Sequence, residues 1–260
     1  MAKYLDEEGL SYVYEKLRYK LIPANSGSHN SIYRGNDITE LYYDGTLSTE
    51  IANGTFDDIF IGDYIVGQST GNVYLVAHLD YFLNMGYDVC EAHHVTLIPE
   101  AILTTAQMYT SNTTKSYVES TMYTSTLPSL LTTIEEDFET ILPVSLYLLD
   151  SVSGNYENDG DWYTRSIDLM NEKMVFGSDI YHDKRAGTSR ATNYTINSSQ
   201  LALFNLNRSK ITGYYDNERT AYWLKDFESS AVFCRINIHG SPSYAAINTE
   251  LGVRPYFSIT

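Results

Sequence analysis

Positive charge is scarce in this 260-residue chain: 17 Lys and Arg stand against 33 Asp and Glu, a formal net charge of −16. Nucleic-acid affinity rests on cations meeting phosphates, and docking on anionic lipid needs the same side chains, so neither partner is expected. Apolar runs are short. The longest apolar-rich stretch, 141–149, contains Pro143 and falls far below the ~20 residues of a membrane span, so no membrane insertion is expected. The opening MAKYLDEEGL has neither the basic nor the apolar segment of a secretory leader, which predicts synthesis in a bacterial-type cytoplasm without a signal peptide. Without a secretory route, the sequons at Asn112, Asn193 and Asn207 carry little meaning. The two cysteines, Cys90 and Cys234, are far apart and in no CxxC or metal spacing; free thiols are the expectation over a disulfide. P-loop and dinucleotide fingerprints are missing, which removes the commonest cofactor enzymes and implies no cofactor.

What is present is apolar residues at 43%, enough for a real core, and an excess of tyrosine. Tyr occurs 24 times, about three times the roughly 3% of an average globular protein. Its stiff, amphipathic ring suits binding surfaces, which tilts the reading towards a binding protein.

Residues 4–21 predict a helix capped by Asp6, with Leu10, Val13, Tyr14, Leu17 and Leu21 on one stripe. That stripe either packs on its own domain or serves oligomerisation or docking. Residues 23–32, which include the run PANSGS, read as a flexible joint. From there to residue 260 the chain reads as one mixed α+β body. A helix is expected over 47–53, strands over 59–66 and 72–79 joined by a turn at 67–71, and a strand over 94–98. Helices are expected over 128–142 and 167–176, and strands over 201–206, 231–238 and 255–259.

The chemical motifs are weak. Gly67-Gln68-Ser69-Thr70-Gly71 matches the hydrolase GxSxG pattern, but the residues after it alternate like a strand instead of opening a helix. His93 and His94 are adjacent, so on a strand one faces the core and the other the solvent, and a structural pair is favoured over a metal site. Asn158-Asp159-Gly160-Asp161 has oxygen ligands without the closing Glu of a calcium loop and is read as a solvated loop. Glu135, Glu136 and Asp137 look like the solvated side of a helix, not a glycosidase carboxylate pair.

The most informative residues are the last forty. Tyr222-Trp223-Leu224-Lys225-Asp226 precedes an alternating strand in which Val232, Cys234 and Ile236 share one face and Phe233, Arg235 and Asn237 the other. After it come Gly240, a run of small and polar residues, and Gly252-Val253-Arg254-Pro255-Tyr256-Phe257. This signature resembles the C-terminus of C-type-lectin-fold variable proteins of gut-bacterial phages and prophages, many of them targets of diversity-generating retroelements. Upstream segments extend the resemblance over most of residues 33–260: FDDI at 56–59, GDYI at 62–65, LDYFL at 79–83, HHV at 93–95 and VFG at 175–177. Residues 4–21 also resemble the opening of phage tail-fibre proteins.

The resemblance implies a C-type-lectin-like domain with elaborated insertions over 33–260, behind an N-terminal helix (1–22) and a linker (23–32). It implies a non-enzymatic display protein whose C-terminal face, about 222–260, binds a bacterial surface protein or glycan. Trp223, Gly240, Gly252, Arg254 and Pro255 would be scaffold. Arg235, Asn237, Ile238, His239, Ser241, Ser243, Ala245, Ala246, Thr249 and Leu251 would vary, with Tyr244 beside them. The residue types fit the palette of adenine-directed mutagenesis. The calcium-binding triplets of the sugar-binding lectins of this fold are missing, so no metal is implied. Virion association, contact with other virion proteins and a homo-oligomer, with a trimer as the usual fibre tip, also follow from the resemblance. The alternative is a structural virion decoration or fibre subunit without diversified binding.

Overall fold

A computed structural model describes residues 6, 9–13, 17, 22–110, 116–151, 159–181, 199–229 and 231–260. The fold is α+β. Its strands, in chain order, are β1 (Tyr64–Val66), β2 (Val73–Leu79), β3 (Val95–Pro99), β4 (Thr104–Ala106), β5 (Val144–Ser151), β6 (Asp159–Arg165), β7 (Ile167–Leu169), β8 (Tyr214–Tyr215), β9 (Glu218–Arg219), β10 (Tyr222–Ser229), β11 (Val232–Ile236), β12 (Pro242–Ala246), β13 (Leu251–Val253) and β14 (Pro255–Ile259). One sheet runs β1-β2-β3-β14-β7, the second β12-β11-β10-β13-β4, and β5-β6 and β8-β9 are separate hairpins. All neighbours are antiparallel except β10 and β13.

The chain changes sheet between β13 and β14, and the residue at the crossing is Arg254, 1% exposed. Its Nε donates to Pro99 O and its guanidinium to Lys210 O, both at 2.8 Å. A buried guanidinium with bonded donors fastens the crossing to β3 and to the 3-10 helix Arg208–Ile211, and that is why an arginine interrupts an otherwise apolar run. Gly252 suits a close approach, since a Cβ there would sit 3.1 Å from the Ala221 carbonyl and press on the Ile102 side chain. A second tie is the ion pair of Lys225 on β10 with Asp168 on β7 (2.7 Å), where Tyr117 also donates to Asp168 at 2.6 Å. In the core Tyr74 packs edge to face on Phe138 and on Phe257 at 5.0 and 5.5 Å, and Phe138 is tilted against Phe257 at 5.2 Å.

Several expected elements stand as read. The helix Thr46–Asn53 buries Leu47 and Ile51, four residues apart, and Gly54 caps it. The turn at 67–71 joins β1 to β2 as expected, though residues 59–63 lie outside the strand.

Others change. The helix expected over 128–142 is Leu127–Glu135, continuous with a π-helical turn Met122–Thr126. It stops early because Asp137 is drawn into tertiary bonds: the carboxylate accepts the Ser69 and Thr70 N–H groups, the Thr70 hydroxyl and the Tyr74 hydroxyl. Asp137 is 5% exposed, so it is not on a solvated helix face. Residues 167–176 divide into strand β7 and the helix Glu172–Phe176, because the Asn171 side chain caps the Met174 N–H and starts a new element. The strand expected over 201–206 is the helix Ala202–Leu206. Asp159-Gly160-Asp161 is not a loop but the start of β6, while Asn158 lies outside the described residues.

The flexible joint is also a correction. Asn25 caps a short helix, Ser26–His29. His29 is 1% exposed, stacked 4.0 Å from Phe60 and bonded to Ile59 O, and the Asn30 amide pairs with both backbone groups of Leu79. Residues 25–30 are therefore fastened to the body. Most of the predicted N-terminal helix lies outside the described residues. Within them, residues 9–13 and Leu17 are helical, Asp6 caps the Gly9 N–H at 2.7 Å, and Leu10 and Leu17 are 61% and 53% exposed. Among the described residues no helix is long and apolar enough to cross a membrane.

Candidate binding face

The strand β11 and the edge strand β12 form the hairpin expected to display variable side chains. Its turn is built by Asn237, whose Oδ1 accepts the N–H groups of His239 (2.9 Å) and Ser241 (3.1 Å) while its backbone N–H donates to Ser241 O. Gly240 closes the turn against Thr212. Asn237 thus works as a fastener for the turn, and its place among freely displayed residues is corrected.

Register sorts the rest. Directly opposed residues share a face, so the pairs Trp223↔Arg235 and Arg235↔Ser243 put Arg235 and Ser243 on the Trp223 side, and Phe233↔Ala245 puts Ala245 there too. Cys234↔Tyr244 and Val232↔Ala246 put Tyr244 and Ala246 on the opposite side. The expected alternation along β11 holds, but the candidate positions do not form one surface. Ile238, His239, Ser241, Tyr244 and Ala246 are exposed, and Arg235, Ser243, Ala245 and Thr249 are half-buried. Leu251 is a correction: it is 8% exposed inside β13, opposite Ala106 of β4, and cannot contact a partner. The scaffold residues Trp223, Gly252, Arg254 and Pro255 are buried, and the Trp223 Nε1 donates to Ala106 O.

On the Tyr244 side the structure adds two residues that the sequence did not flag. Tyr181 packs edge to face on Tyr244 with centroids 5.2 Å apart. Ile180, Tyr181 and Tyr244 are 43%, 39% and 48% exposed. Both additions are pinned from below by Glu172, 0% exposed, whose carboxylate accepts the Ile180 N–H at 2.7 Å and the Tyr181 N–H at 2.9 Å. The Glu172 N–H in turn donates to Asp226 on β10. Only tertiary bonding marks these residues; no local periodicity does.

On the Trp223 side, Arg235 Nε is buried without a hydrogen-bond partner among the described residues. An unmet buried donor costs about 1–3 kcal/mol, so a ligand acceptor here would relieve a standing penalty.

Charge is distributed unevenly. Residues 35–164 hold 20 acids and one cation, Lys115, whereas residues 200–260 hold six Lys and Arg against five Asp and Glu. The whole of residues 165–260, which includes Ile180 and Tyr181 as well as the hairpin, is near charge balance, with 11 Lys and Arg against nine Asp and Glu.

The remaining motifs are occupied structurally. Ser69 sits in the β1–β2 turn, bonded to Asp137 and to Glu136 O, with a strand after it. His94 accepts the Phe82 N–H on Nε2, so its Nδ1 carries the proton that is given to Ala92 O. It cannot take a proton from Cys90, whose Sγ lies 3.9 Å away. Cys90 and Cys234 are free thiols, and burial, reinforced by Asp226 and Glu172, pushes the Cys234 thiol far up. His93 pairs with Asp80 at 2.9 Å and is half-exposed while His94 is buried, but both residues precede β3, so strand alternation is not what divides them. Among the described residues no group of three His, Cys, Asp or Glu side chains is placed to hold a metal.

No protein-family model matches the chain, and neither a curated protein nor a solved structure matches it.

Proposed function

We propose that this chain is a non-enzymatic receptor-binding protein with a C-type-lectin-like fold, encoded by a phage or prophage and carried on a virion, where its C-terminal face meets a bacterial surface protein or glycan. The observation that carries the reading is the exposed Tyr181–Tyr244 pair, set beside Ile180 over the buried Glu172. Large stiff rings on a pre-ordered base lose little entropy on association. The turn residues Ile238 and His239 extend the contact, and Arg235 offers an unmet donor on the other side of the same hairpin.

Leu10 and Leu17, exposed seven residues apart, support oligomerisation through the N-terminal helix, with a trimer as the expected state. Several copies raise avidity where single-site affinity is modest.

The test is adsorption of the labelled chain to intact bacteria of the host community. Tyr181→Ser with Tyr244→Ser removes two exposed rings and should abolish adsorption while leaving the urea midpoint in place. Undiminished adsorption by the double variant would refute the face. Adsorption by neither protein, together with tight association to another virion protein, would favour the decoration-subunit reading.

A further inference from the structure

Away from the hairpin face, exposed apolar side chains gather on the loop of residues 84–90, where Met85, Tyr87 and Val89 are 40%, 72% and 53% exposed. The loop is closed by the Asn84 N–H to Cys90 O (2.7 Å) and the Cys90 N–H to Met85 O (3.0 Å). It lies directly against the β5–β6 hairpin. Gly86, at φ +97°, permits this contact, because a Cβ there would come within 3.2 Å of the Ser145 side chain and carbonyl.

The hairpin has an inner face that buries Leu146 and Leu148 and an outer face where Tyr147 and Trp162 are cross-strand partners. Tyr147 meets Trp162 edge to face at 5.6 Å, and Tyr87 lies 6.3 Å from Trp162 with planes 35° apart. Trp162 thus has Tyr147 and Tyr87 both beside it, and Tyr87 is 72% exposed. The next residue in sequence to Tyr87 is Asp88 and the one before Trp162 is Asp161, both exposed.

The surrounding charge selects the ligand. Exposed carboxylates adjoin two of the rings, Asp88 after Tyr87 and Asp161 before Trp162, and the stretch 35–164 that holds all three rings carries 20 acids and a single Lys. An anionic or neutral ligand gains nothing from that field, while a cation is concentrated by it. Aromatic faces attract cations by about 0.5–2 kcal/mol each, most strongly when the cation sheds its water easily. A primary ammonium is strongly hydrated and seeks hydrogen-bond acceptors that rings do not provide. A quaternary ammonium is weakly hydrated and needs only ring faces.

We infer that Tyr87, Trp162 and Tyr147 bind a quaternary ammonium group of the choline type, at a site separate from the hairpin face and independent of the receptor reading.

Tryptophan fluorescence of the full chain reads the site directly. The chain has two tryptophans, and Trp223 is 0% exposed, so a surface ligand reports through Trp162. Choline chloride, titrated against sodium chloride at matched ionic strength, should give a saturable change with a Kd of roughly 1–10 mM, the range of a few kcal/mol of binding. The neutral isostere 3,3-dimethylbutan-1-ol should bind at least about tenfold more weakly, because it lacks the charge. Tyr87→Ala should weaken choline at least about fivefold, one cation–π contact, without moving the urea midpoint. An equal response to choline and the isostere, an unchanged response in Tyr87→Ala, or no saturable change would each overturn the assignment.

Discussion

The Tyr181–Tyr244 pair and the Tyr87–Trp162 pair present similar ring surface, yet they are held in opposite ways. The first stands over buried charge: Glu172 holds two backbone N–H groups of the 180–181 segment and is itself bonded to Asp226 on the central strand β10. The second hangs on a loop closed by backbone bonds and seated by a missing Cβ at Gly86. They also differ in the charge of the chain that carries them, since residues 165–260 are nearly balanced and residues 35–164 are strongly acidic. A neutral, rigid patch selects its partner by shape. An acidic setting selects by charge first.

Removing the base of the first patch is the largest perturbation available. Glu172→Ala leaves the Ile180 and Tyr181 N–H groups without their acceptor and opens a space beside Cys234. Both bonds go to a carboxylate that is 0% exposed, and hydrogen bonds to charged groups are worth about 1.5–3 kcal/mol each, so a loss of about 3–4 kcal/mol is expected in urea unfolding. Cell adsorption should fall with it, while the choline response at Trp162 persists under conditions where the chain remains folded. Glu172→Gln keeps one acceptor and should lose roughly half as much. Equal damage to both patches would show that they form one cooperative unit.

Acid should reverse the order of sensitivity. Burial, reinforced by the neighbouring His94, drives His78 down to about 4, and burial lowers His94 as well. His78 Nδ1 accepts the Ala202 N–H, and His94 Nε2 accepts the Phe82 N–H close to the root of the 84–90 loop. Both rings are held neutral in the fold, so their contribution is complete above the unfolded value of ~6.5. It is lost as pH falls from there towards 4, because the unfolded chain takes up protons first. A loss on the order of 2 kcal/mol is expected across this window, allowing for the partial exposure of His78. The choline response should fade within it before cell adsorption does, since His94 holds Phe82 at the root of the 84–90 loop, whereas the hydrogen bonds described for the Tyr181–Tyr244 patch involve no histidine. Adsorption failing first on acidification would break the comparison.

The sequence revealed the parts of this molecule that depend on local pattern. The alternation of β11, the Gly54 stop and the Asp6 cap are all short-range effects, and the structure contains them. Where a long-range bond decided the outcome, local reading failed. Asp137 ended a helix early to serve a turn nearly seventy residues away, and Asn25 to Asn30 looked like a joint until His29 met Phe60. The candidate face was misread for the same reason. Tyr244 was recognisable as exposed, but Tyr181 reached it only through Glu172, and Leu251 looked variable because a three-residue central strand has no periodicity to reveal its burial.

Asn237 offers the finest test of what the turn adds to the neutral patch. Its carboxamide accepts two backbone N–H groups, the same number that Glu172 accepts from the 180–181 segment, but here the acceptor is a neutral, half-buried amide instead of a fully buried carboxylate. Neutral hydrogen bonds have a small net value, so Asn237→Ala forfeits only about 1 kcal/mol in place of the several expected for Glu172. Asn237→Asp retains an acceptor oxygen and should recover most of that loss. The turn also orients Ile238 and His239, so adsorption should decline a few-fold in the alanine variant and return in the aspartate one. A loss as large as that of Glu172→Ala would mean that the turn, and not the buried carboxylate, fixes the geometry of the face.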